Sequence, residues 1–161
     1  MKLFISSLPI NPWWGEGTPQ YVDNPAMREG VIPNQSLLEK EWEQLHQTLA
    51  ALPVDFEVLP FPGQLDSGKD SSWKHDFVFF RDLFLSNRKG DVVVARFREK
   101  EREAEIVVIE KWLDKKQVNV HKLPQTEDYY MEGGEFYYCQ NENILFAGES
   151  RNSPKGNEKT A

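Results

Sequence analysis

Sulfur and imidazole are scarce in this chain. Among its 161 residues Cys139 is the sole cysteine, and His46, His75 and His121 are the only histidines. One thiol excludes an intrachain disulfide and a zinc centre built on cysteines. Positive charge is in deficit, with 19 Lys and Arg against 26 Asp and Glu and a formal net charge of −7. That balance argues against nucleic-acid and anionic-membrane partners, which need clustered cations, and it leaves room for a cationic ligand. No apolar run approaches the roughly 20 residues that cross a bilayer. The N-terminus also lacks the apolar core of a signal peptide, so a cytoplasmic location is predicted. What is present is aromatic (12%) and hydrophobic (39%) enough to rule out disorder and to bury one core.

The segment that organises the chain is Met131-Glu132-Gly133-Gly134-Glu135, which leads into Phe136-Tyr137-Tyr138-Cys139. Paired glycines let a backbone turn sharply and approach its neighbours closely. Carboxylates on both sides of such a turn can point into a cleft while the aromatic strand anchors it. Around this motif, Lys2–Ser7 reads as a first strand, and residues 9–33 read as a long loop holding Trp13 and Trp14. Ser36-Leu37-Leu38-Glu39 has the form of a capping box, and Leu38, Trp42, Leu45 and Leu49 follow helical spacing to Ala51, which leaves His46 off the stripe. Val54–Leu59 alternates like a half-buried strand, and residues 61–73 read as loop. Asp76–Leu85 reads as a buried strand, turning at Asn87–Gly90 into a returning strand, Asp91–Phe97. A helix with a broad apolar surface is predicted over Glu101–Lys115, and a short strand over Val118–Val120. A hairpin follows, with strands at Phe136–Cys139 and Ile144–Ala147. The polar residues 152–161 read as a disordered tail, which leaves residues 1–151 as the domain.

The order repeats. A helix, a strand and an acid-bearing strand with its hairpin occur first from Ser36 and again from Glu101. Repetition at this scale suggests radial or stacked units, none able to bury its own face alone.

Four stretches then carry a resemblance, in order along residues 10–153. They are Ile10-Asn11-Pro12-Trp13; His75-Asp76-Phe77-Val78-Phe79-Phe80-Arg81-Asp82; Arg102-Glu103-Ala104-Glu105; and Glu132-Gly133-Gly134-Glu135 with the later Gly148-Glu149-Ser150-Arg151-Asn152-Ser153. Together they resemble the N-terminal half of the pentein superfamily: arginine deiminases, amidinotransferases and dimethylarginine dimethylaminohydrolases. The resemblance implies an α/β fold, a partial propeller of ββαβ blades, with about two and a half of five present. It implies an arginine-like guanidino ligand, whose planar cation suits bidentate carboxylates. By the same resemblance Asp82 and Asp76 hold the guanidinium, Arg102 binds the substrate carboxylate, and Glu132 is the catalytic-site acid that positions a histidine. Glu135 and Arg151 stand where the family has an aspartate and, one residue on, an arginine. In the family a cysteine thiolate attacks the guanidinium carbon and histidine protonates the leaving amine, without metal or organic cofactor.

The chain departs from this pattern where the nucleophile belongs. No histidine follows Glu135, and Cys139 lies in the hairpin rather than at the family position. Glu135 is one methylene longer than aspartate, and Asn152 stands in place of arginine. The expectation is therefore an N-terminal part of a guanidino-modifying enzyme, completed by a C-terminal half of the propeller or by a homo-oligomer. The alternative is a non-catalytic ligand- or partner-binding remnant of that fold.

Overall fold

The computed structural model describes residues 2–9, 25–31, 33–66, 75–87, 89–126, 128–139 and 141–161. The Ile10–Trp13 motif, Trp14, Trp73 and most of the loop predicted over 9–33 lie outside these residues. The chain divides into two compact units, Met1–Val78 and Phe79–Ala161.

In the first unit, strand β1 (Lys2–Ser6) is followed by a single helical turn, α1 (Pro25–Arg28), and by the long helix α2 (Gln35–Ala51). Strand β2 (Asp55–Leu59) then pairs with β1 in parallel, Lys2 opposite Asp55 and Ser6 opposite Leu59. Parallel pairing needs a crossover, and α2 lies within it. The helix cap lies two residues earlier than the capping box predicts. Asn34 is the cap, its side chain accepting from the Leu37 amide at 3.0 Å, while Glu39 takes a bond from Gln35 instead. The covered stripe is also rotated by one residue, because His46 is half-buried and Leu45 is exposed. His46 stacks on Trp42 and meets the edge of Phe56, and the Trp42 indole donates to the Ser6 carbonyl at 3.1 Å. An aromatic imidazole bridging two rings suits the interface better than a leucine would. After α3 (Gly63–Asp66), a 3₁₀ turn at His75–Val78 buries Asp76 and Phe77.

The second unit opens with a 3₁₀ turn, Phe80–Leu83, where sequence predicts continuous strand; strand β3 is confined to Phe84–Ser86. A strand would alternate its faces, whereas Phe80, Asp82 and Leu83 are all buried. The Asp82 amide closes the turn on the Phe79 carbonyl at 2.8 Å. Strand β4 (Asp91–Val94) returns antiparallel to β3, and helix α4 (Glu103–Leu113) carries the chain to β5 (Asn119–His121), parallel to β4. Turn, hairpin, helix and parallel strand together make one complete ββαβ unit. The predicted broad apolar face of α4 is narrower than expected: Val107 is exposed, and the buried stripe runs Glu105, Ile109, Leu113. Phe80 packs edge-on against both Phe84 and Trp112. Leu83 and Ile109 are wholly buried, each worth about 1.5–3 kcal/mol of transfer from water.

The Gly-Gly segment forms a 3₁₀ turn, Gly133–Glu135, and leads into the hairpin of β6 (Phe136–Cys139) and β7 (Ile144–Ala147). Leu123, Met131 and Phe136 form a buried cluster beneath it. The chain described ends in helix α5 (Pro154–Thr160), where disorder is predicted from composition. Ser153 caps α5 from the Gly156 amide at 3.0 Å, proline begins it, and Asn152 is 1% exposed. Among the described residues the sheets hold two, three and two strands, and none closes on itself.

Candidate functional site

Two turns set the site. The Gly133–Glu135 turn is pressed against the backbone of the Phe80–Leu83 turn. A Cβ added at Gly133 would fall on the carbonyl oxygens of Arg81 and Phe84, and one at Gly134 on the Asp82 carboxylate. At Gly133 glycine is required by contact with backbone, since a side chain there would force the turns apart, whereas one at Gly134 would displace the Asp82 carboxylate. Arg81, the sequence neighbour of Asp82, points elsewhere and donates to the Phe136 carbonyl at 2.5 Å. Asp82 is thereby left to the cluster.

Arg102 enters from the 3₁₀ turn that precedes α4 (Lys100–Arg102) and is 4% exposed. Its Nε and Nη2 engage the buried Glu105 carboxylate at 2.9–3.2 Å, its Nη1 donates to Asp82 at 3.1 Å, and Glu132 lies 3.6 Å from the same nitrogen. The Phe97 ring covers the guanidinium, 3.9 Å from its carbon. Arg102 thus belongs to the interior rather than to an ordinary first helical turn. Breaking such a buried pair by deleting one partner costs about 3–5 kcal/mol, because the other charge is stranded.

Arg151, on the link from β7 to α5, faces the same carboxylates from the solvent side. Its Nη1 lies 2.7 Å from Glu132 and 3.5 Å from Asp82, and its Nε lies 3.6 Å from Glu135. The Glu132 amide donates to Asn152 Oδ1 at 2.8 Å, which fixes the acid's backbone. Ser150 holds Glu135 through its hydroxyl at 2.9 Å. Glu132 Oε1 is buried without a hydrogen-bond partner.

The electrostatics follow from this packing. Burial pushes the Glu132 carboxyl up to about 7, against the pull of Arg151 and Arg102 and with help from Asp82 and Glu99. Burial also works against charge on Glu135. There the bonds from Ser150 and the Arg151 backbone, with the Arg151 charge, outweigh it and hold the carboxyl below its ordinary range. Four carboxylates (Asp82, Glu105, Glu132, Glu135) meet two guanidiniums, so the site carries spare negative charge and one spare acceptor atom.

Five of the six residues singled out by sequence meet in this cluster: Asp82, Arg102, Glu132, Glu135 and Arg151. Asp76 is buried in the first unit instead. Glu105 and Asn152 escaped assignment. Glu105 was legible as the second acid of the Arg102–Glu105 spacing, three residues apart at a helix start. Asn152 carried no such signal. Beside the cluster, and sharing Phe97 with it, a groove of about 540 Å³ runs along residues 94–98 and α4, with Arg98, Lys100 and Glu103 among its lining. Cys139 lies on the hairpin, half-buried, with its thiol 2.5 Å from Glu142. That carboxylate and partial burial raise its pKa. No group of side chains among the described residues has the makings of a metal site.

Comparison with solved structures places this geometry in a known fold. The N-terminal domain of ArgZ, an arginine dihydrolase from the ornithine–ammonia cycle in cyanobacteria, solved with product bound, superposes with a TM-score of 0.78 at 24% identity. That match covers 99% of this chain and 53% of the other. AgrE, solved with ornithine and NAD+, matches with a TM-score of 0.78 at 21% identity over 99% of this chain and 21% of that one. A dimethylarginine dimethylaminohydrolase, solved as an adduct with S-methyl-L-thiocitrulline, matches with a TM-score of 0.72 at 16% identity, over 99% and 54% of the two chains. The chain has the pentein fold. It spans about half the length of the ArgZ domain and of the dimethylarginine hydrolase. No family model matches it, and no curated protein does. Among the described residues, no helix is long and apolar enough to cross a membrane.

Proposed function

We propose that this chain is the guanidinium-binding part of an enzyme that modifies guanidino groups, an amidinotransferase or a hydrolase of arginine or methylarginine. The observation that carries the reading is the carboxylate cluster of Asp82, Glu132 and Glu135, gathered by two turns within a pentein fold and left with an unpartnered buried oxygen. The solved structures that share the fold include an arginine dihydrolase and a dimethylarginine hydrolase, which supports the same ligand class.

In this reading Asp82 accepts the N–H fork of the substrate guanidinium, the geometry in which carboxylates bind such cations best. Arg102 keeps Asp82 and Glu132 in place, because its own fork is committed to Glu105 and Asp82. Glu132 orients an imidazole, which its free Oε1 suits as an acceptor. The imidazole and the attacking thiolate come from polypeptide outside this sequence, either a C-terminal half of the propeller or another chain. Cys139 is a poor candidate for that thiolate, since its neighbour Glu142 disfavours ionisation. The thiolate adds to the guanidinium carbon and an amine leaves with the proton from the imidazole; water then hydrolyses the S-linked carbon to a ureido product, or an acceptor amine takes the amidino group, and either frees the thiol. No cofactor is needed.

Thermal shift with L-arginine, Nω-methylarginine and L-citrulline tests the binding half of this reading. Saturable stabilisation by the two guanidino compounds, absent with citrulline and lost in Asp82→Asn, is the expected result. A flat response to all three ends the reading. The second reading, a remnant that binds a partner, draws on the exposed aromatic face of the β6–β7 hairpin. Arginine turnover by protein purified from its natural source, with any bound chain retained, separates the two: turnover supports the enzyme, and binding without turnover supports the remnant.

A further inference from the structure

Two arginines serve the carboxylate cluster, and they serve it differently. Arg102 is sealed in, bidentate to Glu105 and donating to Asp82, with Phe97 against its face. Arg151 has a side chain 32% exposed and only one short contact, 2.7 Å to Glu132. Its approaches to Asp82 and Glu135, at 3.5 and 3.6 Å, are longer than well-formed hydrogen bonds. Its backbone neighbours are fixed, because Ser150 is tied to Glu135 and Asn152 to the Glu132 amide. The side chain alone is therefore free to swing, with no cost in refolding the link. Meanwhile Glu132 Oε1 sits buried and unused, an acceptor that Arg151 does not reach from its side.

We propose that Asp82, Glu132 and Glu135 form a guanidinium receptor whose resident guest is the chain's own Arg151, so that an external guanidino ligand enters by displacing that side chain. The nature of the external ligand rests on the guanidino reading above, while the occupancy by Arg151 rests on the contacts alone. Displacement exchanges like for like. The incoming cation meets the same carboxylates, while the released arginine is already near water. A filled receptor binds with its intrinsic affinity reduced by the fraction of time it stands open, so the guest acts as a threshold on ligand concentration.

The test uses methylguanidinium, the smallest probe of the guest's head group, titrated calorimetrically into the full chain and its variants. Arg151→Ala empties the receptor, and Arg151→Gln does so while keeping a polar side chain, in case the alanine variant does not fold. The expected result is binding about tenfold or more tighter in the emptied variants than in the parent. Adding Asp82→Asn abolishes the gain, and tetramethylammonium, a cation without N–H donors, gains nothing. Folded variants that bind methylguanidinium no tighter than the parent overturn the proposal, as does a gain that survives Asp82→Asn. L-arginine in the same titrations separates the two claims. A methylguanidinium gain without arginine binding leaves the guest assignment standing and removes the guanidino-substrate reading. Equal arginine binding by parent and variants does the reverse.

Discussion

Glu132 is 1% exposed and in contact with a guanidinium, yet its carboxyl is pushed up to about 7. Desolvation by burial outweighs the two arginines here, and the charges of Asp82 and Glu99 add to the rise. The folded state therefore holds this proton more tightly than the unfolded chain does. Stability falls as pH rises from about 4.5 towards 7, by an amount on the order of 3 kcal/mol from this group. Glu135 acts with the opposite sign and in a lower window, since its depressed carboxyl supports the fold until pH falls through its value. Urea denaturation between pH 5 and 8 is expected to show the decline, and Glu132→Gln is expected to flatten it; an equal slope in the variant rejects the assignment. A second residue-scale prediction concerns Gly134, where an added methyl meets the Asp82 carboxylate. Gly134→Ala is expected to lower the unfolding free energy by about 1–3 kcal/mol, read as a lower denaturation midpoint. Substituting Gly63, whose Cβ position is open, serves as the control and is expected to be nearly neutral.

Elements with their own periodicity were legible in the sequence. The two hairpins, the helix from residue 35 to 51 and the crossover through α4 all follow from alternation, helical spacing and turn residues. The Phe80–Leu83 turn was not legible, because nothing local specifies it. Its run of apolar and aromatic residues favours strand, and what bends it is the Gly133–Gly134 backbone, arriving from fifty residues away in the chain and packing on its carbonyls. Helix α5 failed for a different reason. Ser153 caps the helix and Pro154 begins it, features that a reading from polar composition does not register. The site divides likewise. The acids flanking the glycines were visible as a motif, whereas the burial of Glu105 and Asn152 depends on which face of a helix or link turns inward. A prediction belongs at this scale. Ser153 accepts from the Gly156 and Tyr130 amides and donates to the Asp128 carbonyl, so Ser153→Ala removes more than a helix cap. Its expected cost is about 1–2 kcal/mol, read as a lower denaturation midpoint with unchanged slope. A disordered segment would show no change.

At the scale of the molecule, the described surface is uneven. Tyr137 is 63% exposed and Phe146 58%, their rings 6.3 Å apart on one face of the β6–β7 hairpin, with Ile144 on the same hairpin. Contiguous apolar surface of this kind is a candidate surface for association. Sedimentation velocity is expected to show concentration-dependent association that persists at high salt, since the contact is apolar and the net charge of −7 opposes it. The double change Tyr137→Ser with Phe146→Ser is expected to return the protein to monomer. Unaltered association would place the contact elsewhere.

The sheet register also sets a timetable for folding. Phe136 pairs with Ala147 across a short hairpin, Asp91 pairs with Asn119 across a whole helix, and Lys2 pairs with Asp55 across a far longer stretch. Closing a longer loop costs more chain entropy before any pairing compensates for it, so non-local parallel pairs form late. Pulse-labelled hydrogen exchange during refolding should therefore protect the amides of Tyr137 and Tyr138 before those of Val92 and Val93, and the amides of Phe4 and Ile5 last. The half of the chain that carries the charged cluster would then be assembled while its first strand is still searching for a partner.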